Sequence, residues 1–141
     1  VDLTLDDKRE VAWGIIDRGG KLTILNRTLS KGQQLAAELG CRAGGIDELK
    51  DLDCQIFING TSLGMAPNIE ETPVSLAFLR PDLVVFDTIY NPAQTRLLKE
   101  ARAQGCRTLS GMEMFVRQAA AQFKLWAGLE APIEIMRSCL L

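Results

Sequence analysis

The chain has 141 residues, 47% of them apolar, and a formal net charge of −2. That composition supplies one sizeable core and excludes a disordered chain, and the balanced charge without a basic run excludes nucleic-acid or anionic-membrane binding by bulk electrostatics. No apolar stretch approaches the roughly 20 residues of a membrane span and no signal-peptide pattern opens the chain, so a soluble, cytoplasmic protein is expected.

Val1 to Glu10 alternates in polarity, carries much charge and holds no glycine, which makes it an atypical leading segment and not a buried parallel strand. Val11 to Asp17 has the pattern of a first helix, stopping at Gly19-Gly20. In dinucleotide-binding folds a buried strand and a glycine-rich phosphate turn come before such a helix. A fragment or a gap before Val11 is the expected explanation, with a degenerate site as the third alternative.

Lys21 to Leu25 reads as a short strand and Ser30 to Leu39 as a helix, with Ser30 and Gln33 at capping-box spacing and Gly40 as its stop. Gln55 to Ile58 and Leu83 to Phe86 are near-continuous apolar runs, the pattern of parallel strands covered on both faces. Helices are expected at Pro73 to Leu79, Gln94 to Gln104 and Gly111 to Ala127, with Arg107 to Leu109 a brief edge strand. The alternation points to an α/β fold with a doubly wound, mainly parallel, Rossmann-like sheet over residues 11–141, incomplete at its N-terminal strand and glycine loop.

In open α/β sheets ligands bind beyond the carboxyl ends of the strands. Asn26-Arg27-Thr28 stands at the first such end, where NAD-binding folds usually carry a carboxylate and an arginine accommodates a 2′-phosphate. Arg27 offers a planar fork of donors, Thr28 a hydroxyl and Lys31 further charge, against the plainer alternative of a solvated turn. After the next strand come Asn59, Gly60, Thr61 and Ser62: small residues admit a cofactor to the backbone, or they merely shape a capped turn. Past the third strand, Tyr90 can bring a hydroxyl to a substrate with Asn91-Pro92 fixing the turn behind it. Asp87 lacks a visible partner there, and a loop-tethering role suits it better than catalysis.

Gly111, Met114 and Gln118 fall along one side of one helix, which suits a site closing on a small polar ligand and equally an ordinary buried helix with a tolerated glutamine. Histidine is absent, which removes the commonest general base and metal ligand. Cys41, Cys54, Cys106 and Cys139 are scattered, and read as reduced thiols with no disulfide framework and no metal site.

Taken in order, Asn59 to Met65, Phe86 to Pro92 with Thr95 and Leu98, and Gly111 to Ala120 closely resemble the cofactor-binding half of shikimate dehydrogenases. They also resemble the dehydrogenase half of dehydroquinate dehydratase–shikimate dehydrogenase fusions. The resemblance runs from about Val11 to the end, with Gly60 where the family usually has alanine. It implies NADP as cofactor, hydride exchange between NADP(H) and the 3-dehydroshikimate/shikimate pair in aromatic amino-acid (chorismate) biosynthesis, and an NADP-binding domain over residues 11–141. It assigns Asn26, Arg27, Thr28, Lys31, Asn59, Thr61, Ser62, Gly111 and Met114 to the cofactor, and Tyr90 and Gln118 to the substrate.

The family's acid–base lysine and aspartate lie in a separate N-terminal domain that nothing in residues 1–10 matches. No catalytic residue is therefore assigned here, and the chain alone is expected to be inactive. Two other functions stay open: a non-catalytic nucleotide-binding module, and a dehydrogenase of related specificity such as quinate. Met112, Phe115, Phe123 and Trp126 cannot all face one small sheet, and Ile133 to Leu141 adds a second apolar surface. Self-association, or cover by a missing substrate domain, is expected.

Overall fold

In the computed structural model, residues 5–140 are described, with side chains from Arg9 onward. The backbone gathers into two compact units, Val1–Cys54 and Gln55–Leu141. Every strand pairing among the described residues is parallel, and the helices between strands make this an α/β, Rossmann-like architecture.

In the first unit, helix α1 spans Leu5–Asp17. Four residues of the leading segment, 1–4, lie outside the described residues, and the rest is already helical, so α1 starts earlier than Val11. It ends where Gly19, at φ 76, turns the chain and the Gly19 and Gly20 amides donate to Ile16 and Ile15 carbonyls at 2.8 and 2.9 Å. Strand β1 (Thr23–Asn26) leads into α2 (Leu29–Leu39), closed by Gly40 at φ 66. The expected Ser30–Gln33 capping box does not form. Thr28 is the N-cap, and no side chain caps the helix.

Strand β2 (Arg42–Gly45) pairs with β1, Thr23 opposite Arg42 and Asn26 opposite Gly45. No apolar run announces it, because two of its four residues are glycines. Glu48 folds back over them: its carboxylate pairs with Arg42 and accepts from the Gly45 amide at 3.0 Å, and a Cβ on Gly44 would push that carboxylate aside. Ala12, Leu35 and Leu39 form the core of this unit, with Ile16, Leu22, Ile24 and Cys41 packed around them. Each buried leucine contributes about 1.5–3 kcal/mol.

The second unit holds a three-stranded sheet in the order β3 (Ile56–Asn59), β4 (Val84–Asp87), β5 (Arg107–Ser110). The register sets Asn59 opposite Asp87, and Asp87 opposite Ser110, so three strand ends line up. Strand β5 is an edge strand, as its short polar sequence suggests. Helix α3 (Arg96–Ala103) packs on β4 and β5 through Leu97, Leu98 and Ala101, all essentially buried. Helix α4 (Gly111–Ala127) follows β5 directly and buries Val116 and Ala120, and α5 (Ile133–Ser138) packs against it.

The helix expected at Pro73 to Leu79 is only a single 3-10 turn at Leu76–Phe78. Val74 and Leu79 are buried at either end of it, and Phe78 meets Phe57 edge to face at 5.3 Å. One turn is enough to seat these side chains. Among the described residues no helix is long and apolar enough to cross a membrane.

Candidate functional site

At the carboxyl end of β1, Asn26, Arg27, Thr28 and Lys31 cluster around the start of α2. The Asn26 side-chain oxygen accepts from the Thr28 amide at 2.9 Å, an Asx turn that leads the chain into the helix. Gly32 lets the first helical turn approach: a Cβ there would lie 3.1 Å from the Asn26 Cβ. Arg27, Thr28 and Lys31 are exposed, and among the described residues neither cation makes an ion pair. The helix has no acidic residue in its first turn and no side-chain cap. Its partial positive end and two unpartnered cations thus face outward together, an arrangement that fits a phosphate group.

The ends of β3 and β4 are tied by a buried polar network. Asp87 is completely buried. One carboxylate oxygen accepts from the Asn59 amide at 3.1 Å and the Ile89 backbone N–H at 3.2 Å, and the other from the Thr95 hydroxyl at 2.6 Å. Burial pushes the carboxyl of Asp87 above its usual range, while the bonds from Thr95, Ile89 and Asn59 pull the other way.

Asn59 is also buried. Its side-chain oxygen accepts from both the amide (3.0 Å) and the hydroxyl (2.7 Å) of Thr61, and the Leu63 amide donates to that hydroxyl at 3.2 Å. As placed, Asn59 reaches a ligand only through the loop it holds, and the Thr61 hydroxyl hydrogen is spent inside that loop. Ser62 is half-buried, and its hydroxyl makes no hydrogen bond among the described residues, so it is the loop side chain best placed to donate outward.

Gly111 is buried for a backbone reason. A Cβ there would run into the Thr88 carbonyl oxygen and come within 2.6 Å of the Ile89 carbonyl carbon. Helix α4 can therefore start hard against the 88–89 peptide only with glycine at this position. Met114 and Gln118 lie one turn apart on α4 and, with Phe86, Leu109, Ser110 and Arg117, line an open hollow of about 440 Å³. Gly111 is not among the lining residues. Tyr90 stacks on Phe115 of α4, ring centroids 5.5 Å apart and planes at 23°, and stays half exposed.

Helix α4 is tied to α5 through Glu113, which also lines the hollow. Arg137 donates to both Glu113 oxygens, at 3.1 and 3.2 Å, and to Glu134 at 2.6 Å. The bond from Arg137 is the main reason the Glu113 carboxyl sits below its usual range.

Residues 111–140 match the family model described as the Shikimate 5'-dehydrogenase C-terminal domain. The shikimate dehydrogenase (NADP(+)) of Methanosarcina barkeri is 42% identical over 94% of this chain, which covers 51% of that protein. The chain is similar in sequence to the shikimate dehydrogenases. The chloroplastic bifunctional 3-dehydroquinate dehydratase/shikimate dehydrogenase of Arabidopsis thaliana is 43% identical over 90% of the chain and 22% of its own length. Among solved structures, the quinate dehydrogenase of Corynebacterium glutamicum in complex with NAD superposes with a TM-score of 0.85 at 31% identity, covering 92% of this chain and 49% of that one. The chain spans about half the length of the shikimate dehydrogenases it matches.

Asn26 and Asn59 are the last residues of β1 and β3, Arg27, Thr28, Thr61, Ser62 and Tyr90 follow strand ends, and Lys31 lies in the first turn of α2. Sequence reasoning missed Thr95 as a partner of Asp87 and the stacking of Phe115 on Tyr90. Thr95, three residues before Leu98 and just ahead of an amphipathic helix, carries an N-cap signal that accounts for its bond from the Leu98 amide and not for its bond to Asp87. Nothing in the spacing points to the stacking.

Proposed function

We propose that this chain is the NADP(H)-binding half of a shikimate dehydrogenase, a cytoplasmic enzyme that exchanges hydride between NADP(H) and the 3-dehydroshikimate/shikimate pair in aromatic amino-acid biosynthesis. The observation that carries the reading is the start of α2 without a side-chain cap, with Arg27 and Lys31 exposed beside it and in no ion pair among the described residues, in a chain 42% identical to an NADP-named relative. Arg27 and Lys31 meet the 2′-phosphate, with Asn26 and Thr28 shaping the turn. Asn59, Thr61 and Ser62 carry the cofactor's passage over the end of β3, and Gly111 and Met114 border the nicotinamide. Tyr90 and Gln118 hold the substrate. The cofactor supplies the hydride when bound, and this chain contributes orientation. Proton management falls to a lysine and an aspartate in the half that this chain does not match.

The four cysteines are widely scattered with no close pair, a spacing that supports a reducing compartment. The exposed apolar end of α4 and α5 supports cover by a second domain or by self-association. The likeness to a quinate dehydrogenase favours a second substrate reading, which a panel of shikimate and quinate separates.

The cofactor assignment is tested by calorimetric titration with NADP and NAD. Wild type should prefer NADP, and Arg27→Ala should lose about 1.5–3 kcal/mol of NADP affinity, roughly ten- to a hundredfold, with little change for NAD. Equal weakening of both cofactors would count against the assignment.

A further inference from the structure

We propose that Asp87 is the positioning residue of this site: its buried carboxylate fixes the polarity of Asn59 and Thr95, and through them the shape of the 59–63 loop and the start of α3. The proposal rests on the dehydrogenase reading for what that loop presents to the cofactor, but its geometry does not. An ionised carboxylate only accepts hydrogen bonds. Asn59 must therefore turn its NH₂ toward Asp87, at 3.1 Å, and its oxygen toward Thr61. With the opposite polarity the NH₂ would face the Thr61 amide, donor against donor, and the loop would lose both bonds that Thr61 donates at 3.0 and 2.7 Å. The same amide also donates to the Leu63 carbonyl at 3.3 Å, closing the loop on itself.

The second arm works the same way. Thr95 must donate to Asp87, at 2.6 Å, so its lone pairs face the Leu98 amide, which donates to it at 3.3 Å as the cap of α3. The third bond, from the Ile89 amide at 3.2 Å, pins the chain that leads to Tyr90. One buried carboxylate thus orders the turn after β3, the turn after β4 and the first turn of α3. Asn59 and Asp87 stand opposite each other in the parallel register, so both arms start from adjacent strand ends.

The groups meeting Asp87 are Asn59 from β3, the Ile89 amide from its own loop and Thr95 from the start of α3, all uncharged. Two opposite pH dependences follow. Burial raises the Asp87 carboxyl, so global stability from this group falls as pH rises through the raised value. The Asn59 bond favours the ionised form, so the 59–63 loop is held more tightly as pH rises through the same window. A residue that served only as packing would give no such opposition.

The test is amide hydrogen exchange on the 141-residue chain without cofactor, corrected for intrinsic rates, between pH 4 and 8. In wild type, protection at Thr61 and Leu63 should rise with pH, while the part of the global unfolding free energy that Asp87→Asn removes changes in the opposite sense across the Asp87 titration. Asp87→Asn should lose roughly tenfold protection at Thr61, Leu63 and Leu98 and flatten the pH profile. Thr95→Ser should keep wild-type protection at Leu98, and Thr95→Val should lose it there while sparing Thr61. Unchanged protection at Thr61 in Asp87→Asn, or a uniform loss across the second unit, would overturn the proposal. If that variant does not fold, a wild-type loop whose protection is flat or falls with pH does the same. NADP titration of the wild type tests the dehydrogenase reading separately: an ordered loop without NADP binding sinks that reading and leaves the positioning role standing.

Discussion

Gln118 is exposed on α4 and lines the hollow with Met114. An amide offers a donor and an acceptor on one short side chain, so it reads hydroxyls and carboxylates equally well. In an enzyme completed by its other half, Gln118→Ala should lower kcat/KM for shikimate by roughly tenfold, the equivalent of about 1.5 kcal/mol for one lost hydrogen bond. NADP affinity should stay within about twofold of wild type, since the amide is assigned to the substrate. Steady-state kinetics unchanged from wild type would reduce Gln118 to a surface residue. At the scale of residues, position was legible where a strand end was clear, as at Arg27, which lies exposed just after β1. Residues were least legible where a role depends on a partner far along the chain. The tie between Asp87 and Asn59 crosses 28 positions, and only the parallel register brings them together.

Among the elements, α5 is the most dependent on charge. Six residues make too short a helix to stand alone, and Arg137 holds it to α4 through Glu113. The Glu113 carboxyl is depressed in the folded chain, chiefly by the bond from Arg137. A depressed carboxyl contributes stability that is present above its unfolded value and is lost as pH falls through its folded one. Amide signals of α5 should therefore lose dispersion as pH falls below the usual glutamate range, while those of β4 persist. Glu113→Gln should show the weakened helix at all pH values with no titration. An α5 unaffected by pH in wild type would show that apolar contacts alone hold it.

Elements with a strong period were readable in advance: α4 begins and ends at the expected residues. Strand β2 was not, because Arg-Ala-Gly-Gly has no strand preference and exists only by pairing with β1. The 73–79 segment misled in the other direction, its apolar residues serving a single turn.

At the scale of the whole molecule, the feature that most demands an explanation is apolar surface left in water. Leu125 and Trp126 at the end of α4 are 82% and 83% exposed, and Leu129 and Ile135 are each 64% exposed. A patch of several hundred Å² is unusual on a soluble monomer. The purified chain should therefore self-associate at micromolar concentration, and light scattering that shows a clean monomer would contradict this. The same patch is what a second domain would cover, consistent with a chain that spans 51% of its Methanosarcina barkeri relative.

The most direct measurement joins residues 11–141 to the remaining half of that relative and follows NADP reduction by absorbance as shikimate is added. The expected result is shikimate-dependent reduction by the joined protein and none by the 141-residue chain alone. A joined protein that folds and binds NADP yet never reduces it with shikimate would contradict the assignment of this chain as the cofactor half of a shikimate dehydrogenase.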